Sequence, residues 1–355
     1  MRVVYLTKYS RNGASSRLRS FQYFPFIEKE GIDVTVKPFF DEDYLNLLYA
    51  KKKISKLKIA NYYLNRFLVL FTLSKYDKII IEKELFPYFF SWFEKLLFFF
   101  NINYIVDYDD AIFHNYDLSN NKLIQYFLKK KIGNVMKYSN CVLVGNDYLA
   151  EKAKISAAKK IIHFPTVIDV KKYDLKDYTI ENDKIIIGWI GSPSTFKYVK
   201  NLKNVFANLK NVNSFEIHII GAGEEFDFNG SAHYYKWSEL EEVAMISKFD
   251  IGIMPLENTP WELGKCAYKL VQYMGCGLPV VASSIGMNTE IINEGENGFL
   301  VENEMEWIEK LTLLLKDANL RKQLGRNGRK KIEQEYDIQR NIQKLIPLLK
   351  DGTEK

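Results

Sequence analysis

Residues 184–199, KIIIGWIGSPSTFKYV, read as a strand of β-branched and aromatic residues that stops near Gly191, passes through Ser192, Pro193, Ser194 and Thr195, and enters a helix carrying Lys197. Glycine lets an anion approach the backbone, and a helix start offers it unpaired N–H groups. Hydroxyls, amide hydrogens and a cation meet at this turn, as the oxygens of a diphosphate require. A plain N-cap would account for Ser194 or Thr195, but not for Lys197.

Downstream of this stretch, short apolar runs alternate with longer helical patterns: FEIHIIG, DIGIMPL, LPVVAS and NGFLV. Upstream the same alternation holds for RVVYLT, IDVTVKP, KIIIEK, NYIVDY, CVLVG and KIIHF. Between the series lies PTVIDVKKYDLKDYTIENDK (165–184), polar and opened by proline, which reads as a linker and hinge. The expected fold is α/β: two Rossmann-like, doubly wound parallel-sheet domains facing a cleft, one over 1–168 and one over 169–336, with the tail 337–355 returning to the first. Ligands in such sheets bind outside the carboxyl ends of the strands.

The chain has 355 residues, enough for two ordinary cores. Its three cysteines, Cys141, Cys266 and Cys276, lack metal-ligand spacing and read as free packing thiols of a reducing cytoplasm. The formal charge of +6 is uneven: residues 1–180 hold 29 Lys and Arg against 19 Asp and Glu. No nucleic-acid recognition signature accompanies that basic half. No apolar run is long enough to span a bilayer, and MRVVYLTKYS reads as a first strand rather than a signal sequence. The segment 51–71 sets Ile54, Leu57, Leu64, Leu68 and Phe71 at helical spacings behind Lys51, Lys52, Lys53, Lys56 and Lys58. With the aromatic run 85–100 it could lie on anionic lipid at the inner face of a membrane, or pack on the sheet.

Further motifs carry chemistry. YLTKYSRNGASSRLRSF is a strand, a loop with Gly13, and a helix with Arg17 and Arg19, a weak anion-site signal. In GKCAYKLVQYMGCGLPVVAS (264–283), a helix over 266–274 would put Lys265, Lys269 and Gln272 on one face, with Gly275 and Gly277 ending it. Two ammonium groups would neutralise a diphosphate, and the amide would bond sugar or ribose hydroxyls; an exposed polar stripe is the plainer reading. YIVDYDDAIFH ends in Asp109 and Asp110, with His114 beyond. Its Asp107-Tyr108-Asp109 looks like a D-x-D metal site, with Asp110 expected to point elsewhere, but three-residue motifs arise easily by chance. Glu82 and Glu84 close the KIII strand and could bind acceptor hydroxyls or cap the next helix at the surface, while Glu290 sits in a helix's first turn.

GASSRLRSFQYFPFIEKEGIDVTV, DYDDAIFHNYD, GNDYLAEKA, GWIGSPSTFKYV, DIGIMPLENTPWELGKCAYKLVQYMGCGLPVVAS and MNTEIINEGENGFLV follow the order and separations of glycosyltransferase family 4, which the chain resembles from about residue 1 to 336. The resemblance implies a GT-B fold, a nucleotide-sugar donor held mainly by the second domain, and transfer with retention of anomeric configuration. It also implies a glycan or polyprenyl-linked acceptor, often in surface-polysaccharide assembly, with no metal and no cofactor beyond the donor, itself a substrate. Two departures stand out. The family's paired glutamates, with seven residues between them, fall on Gly264 and Gln272, and its histidine beside the donor sugar has only Asp109, Asp110 or His114 as counterparts.

On this reading Asp110, Lys197 and Lys269 are catalytic. Gly13, Gly191, Ser194, Thr195, Lys265, Gln272 and Glu290 bind the donor, and Arg17, Glu84 and His114 meet the acceptor. Cations aimed at the departing phosphate lower the barrier, and retention through that phosphate needs no protein nucleophile. Alternatives are a sugar-nucleotide epimerase of the same architecture, and a relative that binds nucleotide or glycan without turnover.

Overall fold

Strand formation follows the β-branched runs. The computed structural model describes residues 1–50, 52–178, 184–210, 212, 214–229 and 232–351. Two compact units result: Met1–Thr166 with Leu263–Cys266 and Gln339–Lys355, and Val167–Glu262 with Ala267–Ile338. Lys51, residues 179–183 of the linker and residues 352–355 of the tail lie outside the described residues.

The first unit holds one parallel sheet of β1 (Arg2–Leu6), β2 (Asp33–Val36), β3 (Lys78–Glu82), β4 (Tyr104–Tyr108), β5 (Cys141–Val144) and β6 (Ile161–His163), in the order β2-β1-β3-β4-β5-β6. The order reverses between β1 and β3, so the loops after those strands flank the crevice where such sheets take ligands. Strands β1, β3, β4 and β5 read as near-continuous apolar runs because helices cover both faces, and their side chains are almost wholly buried. The helix Ile338–Lys350 belongs to this unit from Gln339 onward, anchored by Asn341 Nδ2 donating to Tyr23 Oη and to Pro165 O, each at 2.8 Å.

The second unit has β7 (Ile185–Ile190), β8 (Phe215–Ile220), β9 (Ala232–Tyr235), β10 (Ile251–Met254), β11 (Val280–Ser283) and β12 (Gly298–Val301), in the order β12-β11-β10-β7-β8-β9. That is the Rossmann order, with its reversal between β7 and β10. Trp189, Phe196, Phe206, Phe228, Trp307 and Leu311 pack on one core, each such side chain contributing roughly 1.5–3 kcal/mol by leaving water. Strand β9 was not expected: AHYY is short and sits at the sheet edge, where little burial marks the sequence.

Three further expectations are corrected. Part of the stretch taken as a polar linker is packed, with Val167, Ile168, Val170 and Tyr173 buried in the second unit and Ile168 bridging to Asp337. Helix Lys56–Leu70 does not put its apolar stripe on the sheet: Leu57 is 82% exposed and Phe71, just past its end, 70%, while Tyr62 and Arg66 face inward. Arg66 reaches that interior because its guanidinium donates to Thr7 O at 2.9 Å and Lys37 O at 3.0 Å. Lastly, the helix after Lys265 begins only at Tyr268, because Ala267 sits in the left-handed region (φ 46°), so Lys265 does not share a helix face with Lys269 and Gln272. All three cysteines are free and buried, and no described helix is long and apolar enough to cross a membrane.

Candidate active site

In the first unit the site forms at the carboxyl ends of β1, β3 and β4. Lys83 follows β3 in a left-handed conformation (φ 68°), a conformation uncommon for a lysine and held by its surroundings. Its buried ammonium lies 2.9 Å from Asp109 Oδ1 and 3.5 Å from Asp110 Oδ2. Ser15 Oγ donates to the other Asp109 oxygen at 2.5 Å. The sequence reading passed over Lys83, although a lysine between Glu82 and Glu84 at the end of an apolar strand is the signal that could have found it.

Asp109 and Asp110 are adjacent carboxylates with different environments. Burial pushes Asp109 up, but the Lys83 ammonium, then Arg19 and the Ser15 hydroxyl, override it and hold the carboxyl at about 2. Asp110 moves the other way: burial and the Asp109 charge raise it, against the opposing pull of Lys83, Lys265 and Lys8. Neighbouring acids pushed apart in this manner can divide the tasks of fixed anion and proton carrier. Asp110 therefore does not point away from its neighbour; both share Lys83.

Asp107 serves a separate purpose. Arg19 donates from Nε to Asp107 Oδ2 at 2.9 Å and from Nη2 to Oδ1 at 2.5 Å, a bidentate pair that occupies both oxygens. The D-x-D carboxylates are thus divided between two cations. Glu82 and Glu84 are not surface caps. Glu82 is buried, accepting from Ser16 Oγ at 2.6 Å and Lys8 N at 3.1 Å. Glu84 is buried too, accepting from Tyr116 Oη at 2.7 Å and ion-paired with Lys131. Both carboxylates went inward because donors met them there. His114 has both ring nitrogens engaged, Nδ1 with Asp117 Oδ1 at 2.7 Å and Nε2 with Tyr148 Oη at 2.8 Å. Arg17 is buried within the six-residue helix Ala14–Arg19, which Gly13 precedes; a side chain on Gly13 would collide with Tyr9.

The segment Leu263–Cys266 joins this group. Asn146 Nδ2 donates to Leu263 O at 3.2 Å and Lys265 O at 3.0 Å, and the Cys266 thiol donates to Asp109 O at 3.0 Å. Lys265 is thereby placed where its charge acts on Asp110. The chain comes so close that a Cβ on Gly264 would lie 2.4 Å from Ala111 Cβ, and one on Gly145 2.1 Å from Cys266 Sγ. A glutamate at 264 has no room here, a physical reason for the glycine.

In the second unit the turn after β7 is shaped by glycines. A Cβ on Gly191 would lie 2.3 Å from the Trp189 ring, and one on Gly221 (φ 81°) 2.3 Å from Gly191 O. Ser192 N donates to Thr195 Oγ1 at 3.3 Å, and Thr195 Oγ1 donates to Ser192 O at 3.1 Å. Thr195 precedes the helix Phe196–Lys200 without a side-chain cap bond, so the N-cap explanation does not hold, and its hydroxyl instead braces the turn. Exposed Ser194 faces Ser192 Oγ at 2.9 Å.

Lys197 is 59% exposed, 3.6 Å from Glu257 Oε2, so water and a carboxylate share its charge. Lys269 stands with its ammonium 5.9 Å from the Trp189 ring centroid, on the helix Tyr268–Gly275. Gln272, on the same helix, is buried and donates to Tyr173 Oη at 3.2 Å. Glu290 is exposed in the helix Asn288–Ile291.

Residues 170–331 match the family model described as Glycosyl transferases group 1, a little under half of the chain. Among curated relatives, the spore coat protein SA of Bacillus subtilis (strain 168) is 34% identical over 76 residues, 21% of this chain and 20% of that protein. The capsular polysaccharide biosynthesis glycosyltransferase CapM of Staphylococcus aureus is 23% identical over 183 residues, 48% of this chain and 47% of that protein. The chain thus spans less than half the length of these relatives. Among solved structures, Anabaena Alr3699/HepE in complex with UDP and glucose superposes with a TM-score of 0.73, over 98% of this chain and 99% of that one, at 15% identity. The fold is GT-B, two Rossmann-like units.

Proposed function

We propose that the chain is a retaining glycosyltransferase that moves a sugar from a nucleotide-sugar donor to a glycan or lipid-linked acceptor in surface-polysaccharide or glycoconjugate assembly. The observation that carries this reading is the match of residues 170–331 to the Glycosyl transferases group 1 model. The capsular polysaccharide biosynthesis role of the S. aureus relative supports the choice of product class, and the UDP-glucose complex of the Anabaena protein supports the donor class.

The glycine-shaped turn Gly191–Thr195 and Lys269 meet the donor phosphates, where negative charge grows as the nucleoside diphosphate leaves. Lys197, Gln272 and Glu290 contact the donor from the same unit, while Lys265 and Gly13 line the ligand crevice of the first. Asp110 orients the acceptor hydroxyl, with Arg17, Glu84 and His114 shaping its surroundings through the contacts described above. Asp109, locked by Lys83 and Ser15, stays a fixed anion rather than a nucleophile. Retention then proceeds with the departing phosphate taking the acceptor proton. No metal and no separate cofactor enters this scheme, consistent with Arg19 holding both oxygens of Asp107.

Contact with the inner face of a membrane through 51–71 and 85–100 is part of the proposal. Its support is the exposure of Leu57, Leu64, Leu68, Phe71, Trp92, Phe99 and Phe100 in segments that also carry lysines.

The test is incubation of the purified protein with a panel of nucleotide sugars. Release of nucleoside diphosphate on acceptor addition, with an axial or equatorial linkage matching that of the donor by NMR, is the expected result. An isomerised donor would instead identify an epimerase, and saturable binding without either product a non-catalytic relative. Lys269→Ala should lower turnover about 100-fold or more while leaving the fold intact; an unchanged rate would remove Lys269 from the site.

A further inference from the structure

Two of the four histidines of the chain, neither assigned a role above, meet at the edge of the second sheet. Strands β8 and β9 pair in parallel with His218 opposite His233, and Glu216 lies two residues before His218 on the same face of β8. Glu216 Oε2 is 3.3 Å from His218 Nε2 and 3.5 Å from His233 Nε2. One ligand atom from each of the three residues falls within 4.8 Å of the others.

The two carboxylate–imidazole separations suit a small tetrahedral cation. Ligands at roughly 2.0–2.2 Å from zinc are about 3.3–3.5 Å apart along a tetrahedron edge. The carboxylate is already oriented: its other oxygen, Oε1, accepts from the Lys184 ammonium at 3.2 Å, which turns Oε2 toward both imidazoles. A hydrogen bond from His218 to Glu216 satisfies that pair in the absence of metal; His233 meets the His218 ring edge-on with centroids 5.3 Å apart, and its 3.5 Å approach to Glu216 on an exposed strand contributes little as an ion pair.

The geometry points to a binding site for a zinc-class divalent cation at Glu216, His218 and His233, with a fourth position left to water, clamping edge strand β9 to β8. Imidazole nitrogen with one carboxylate is the donor set preferred by zinc and its borderline neighbours, not by magnesium or calcium. The site is independent of the transfer reaction, which involves none of these residues.

The experiment uses the full chain without a histidine tag. Titration with Zn²⁺ in a calorimeter should show one equivalent bound, reversed by EDTA. Co²⁺ should give the intense visible bands of a tetrahedral complex, and the melting temperature should rise with Zn²⁺ concentration by mass action. His233→Ala and Glu216→Gln should each weaken binding at least tenfold, whereas His163→Ala, at another exposed position, should not. His233 is exposed, so His233→Ala keeps the test valid even if His218→Ala fails to fold. Absence of binding at micromolar Zn²⁺, an octahedral Co²⁺ spectrum, or affinity unchanged in His233→Ala would overturn the assignment.

Discussion

Lys83 is the residue on which the first unit's polar cluster turns. It is buried, it adopts a backbone conformation uncommon for a lysine, and two carboxylates share it. Removing one partner of a buried pair leaves the other charge without compensation, which costs roughly 3–5 kcal/mol. Lys83→Met should therefore destabilise the protein by about that amount at pH 7, as read from urea unfolding. The deficit should shrink in acid. Asp109 is held at about 2, below its unfolded value, so its contribution exists above that unfolded value and is lost as pH falls toward 2. The variant never has that contribution, and protonation relieves its two facing carboxylates. An equal deficit at pH 7 and pH 3 would contradict the pairing. Asp110→Asn, at the partly exposed acid, should lower turnover at least tenfold while leaving stability within about 1 kcal/mol, measured by donor consumption and thermal unfolding.

Among the elements, the helix Tyr268–Gly275 shows how a short segment is fixed at both ends. Ala267 opens it from the left-handed region, and Gly277 (φ 71°) closes it: Gly277 N donates to Met274 O at 2.8 Å and Leu278 N to Tyr273 O at 3.0 Å, a Schellman closure. Its final turn packs on the helix Ala318–Glu335 at Gly325, where a Cβ would lie 1.9 Å from Gly277 O and 2.6 Å from Tyr178 Oη. Helix propensity alone would make Gly325→Ala favourable by about 1 kcal/mol. Close packing predicts the reverse, a loss of roughly 1–3 kcal/mol through overpacking. Denaturant unfolding decides between the signs, and a stabilised variant would show that the two helices have room to separate.

Across the whole molecule, charge and apolar exposure are concentrated. Segments 44–76, 85–103 and 118–146 hold seven, one and five basic residues, of which Arg66 and Lys131 are buried, against a single acid, Glu94, also buried. Ring contacts connect these segments in a surface chain: Phe71 with Phe67, Phe67 with Phe93, Phe93 with Phe89, Phe89 with Trp92, Trp92 with Phe90, and Phe90 with Phe127. Trp92 is 57% and Phe127 58% exposed. A shallow cavity of about 210 Å³ opens beside them, lined by Phe90, Trp92, Lys95, Phe127, Lys130 and Tyr138. Such a face suits the interface of an anionic bilayer, each lysine contributing about 1 kcal/mol near the surface. The protein should float with phosphatidylglycerol vesicles and not with phosphatidylcholine vesicles. Lys52→Gln with Lys53→Gln should reduce flotation and its salt dependence, and Phe99→Ser with Phe100→Ser should reduce it at all salt concentrations. Equal flotation with neutral vesicles would refute the electrostatic part.

The sequence by itself determined the two strand series, the break between them, the glycine-marked turn after β7 and the absence of any run able to span a bilayer. Each depends on residues close together in the chain, through side-chain period, backbone freedom or run length. Tertiary structure decided the rest. Lys83 and Asp109 are 26 positions apart and meet because β3 and β4 are neighbours in the sheet. Cys266 donates to a carbonyl 157 positions away, and so carries Lys265 into the first unit's cluster. The inward face of helix Lys56–Leu70 admits Arg66 beside Tyr62 because the guanidinium finds carbonyl acceptors there, while Leu57, Leu64 and Leu68 remain exposed. Sheet order and burial set these partnerships, and neither leaves a local periodic trace for a sequence to display.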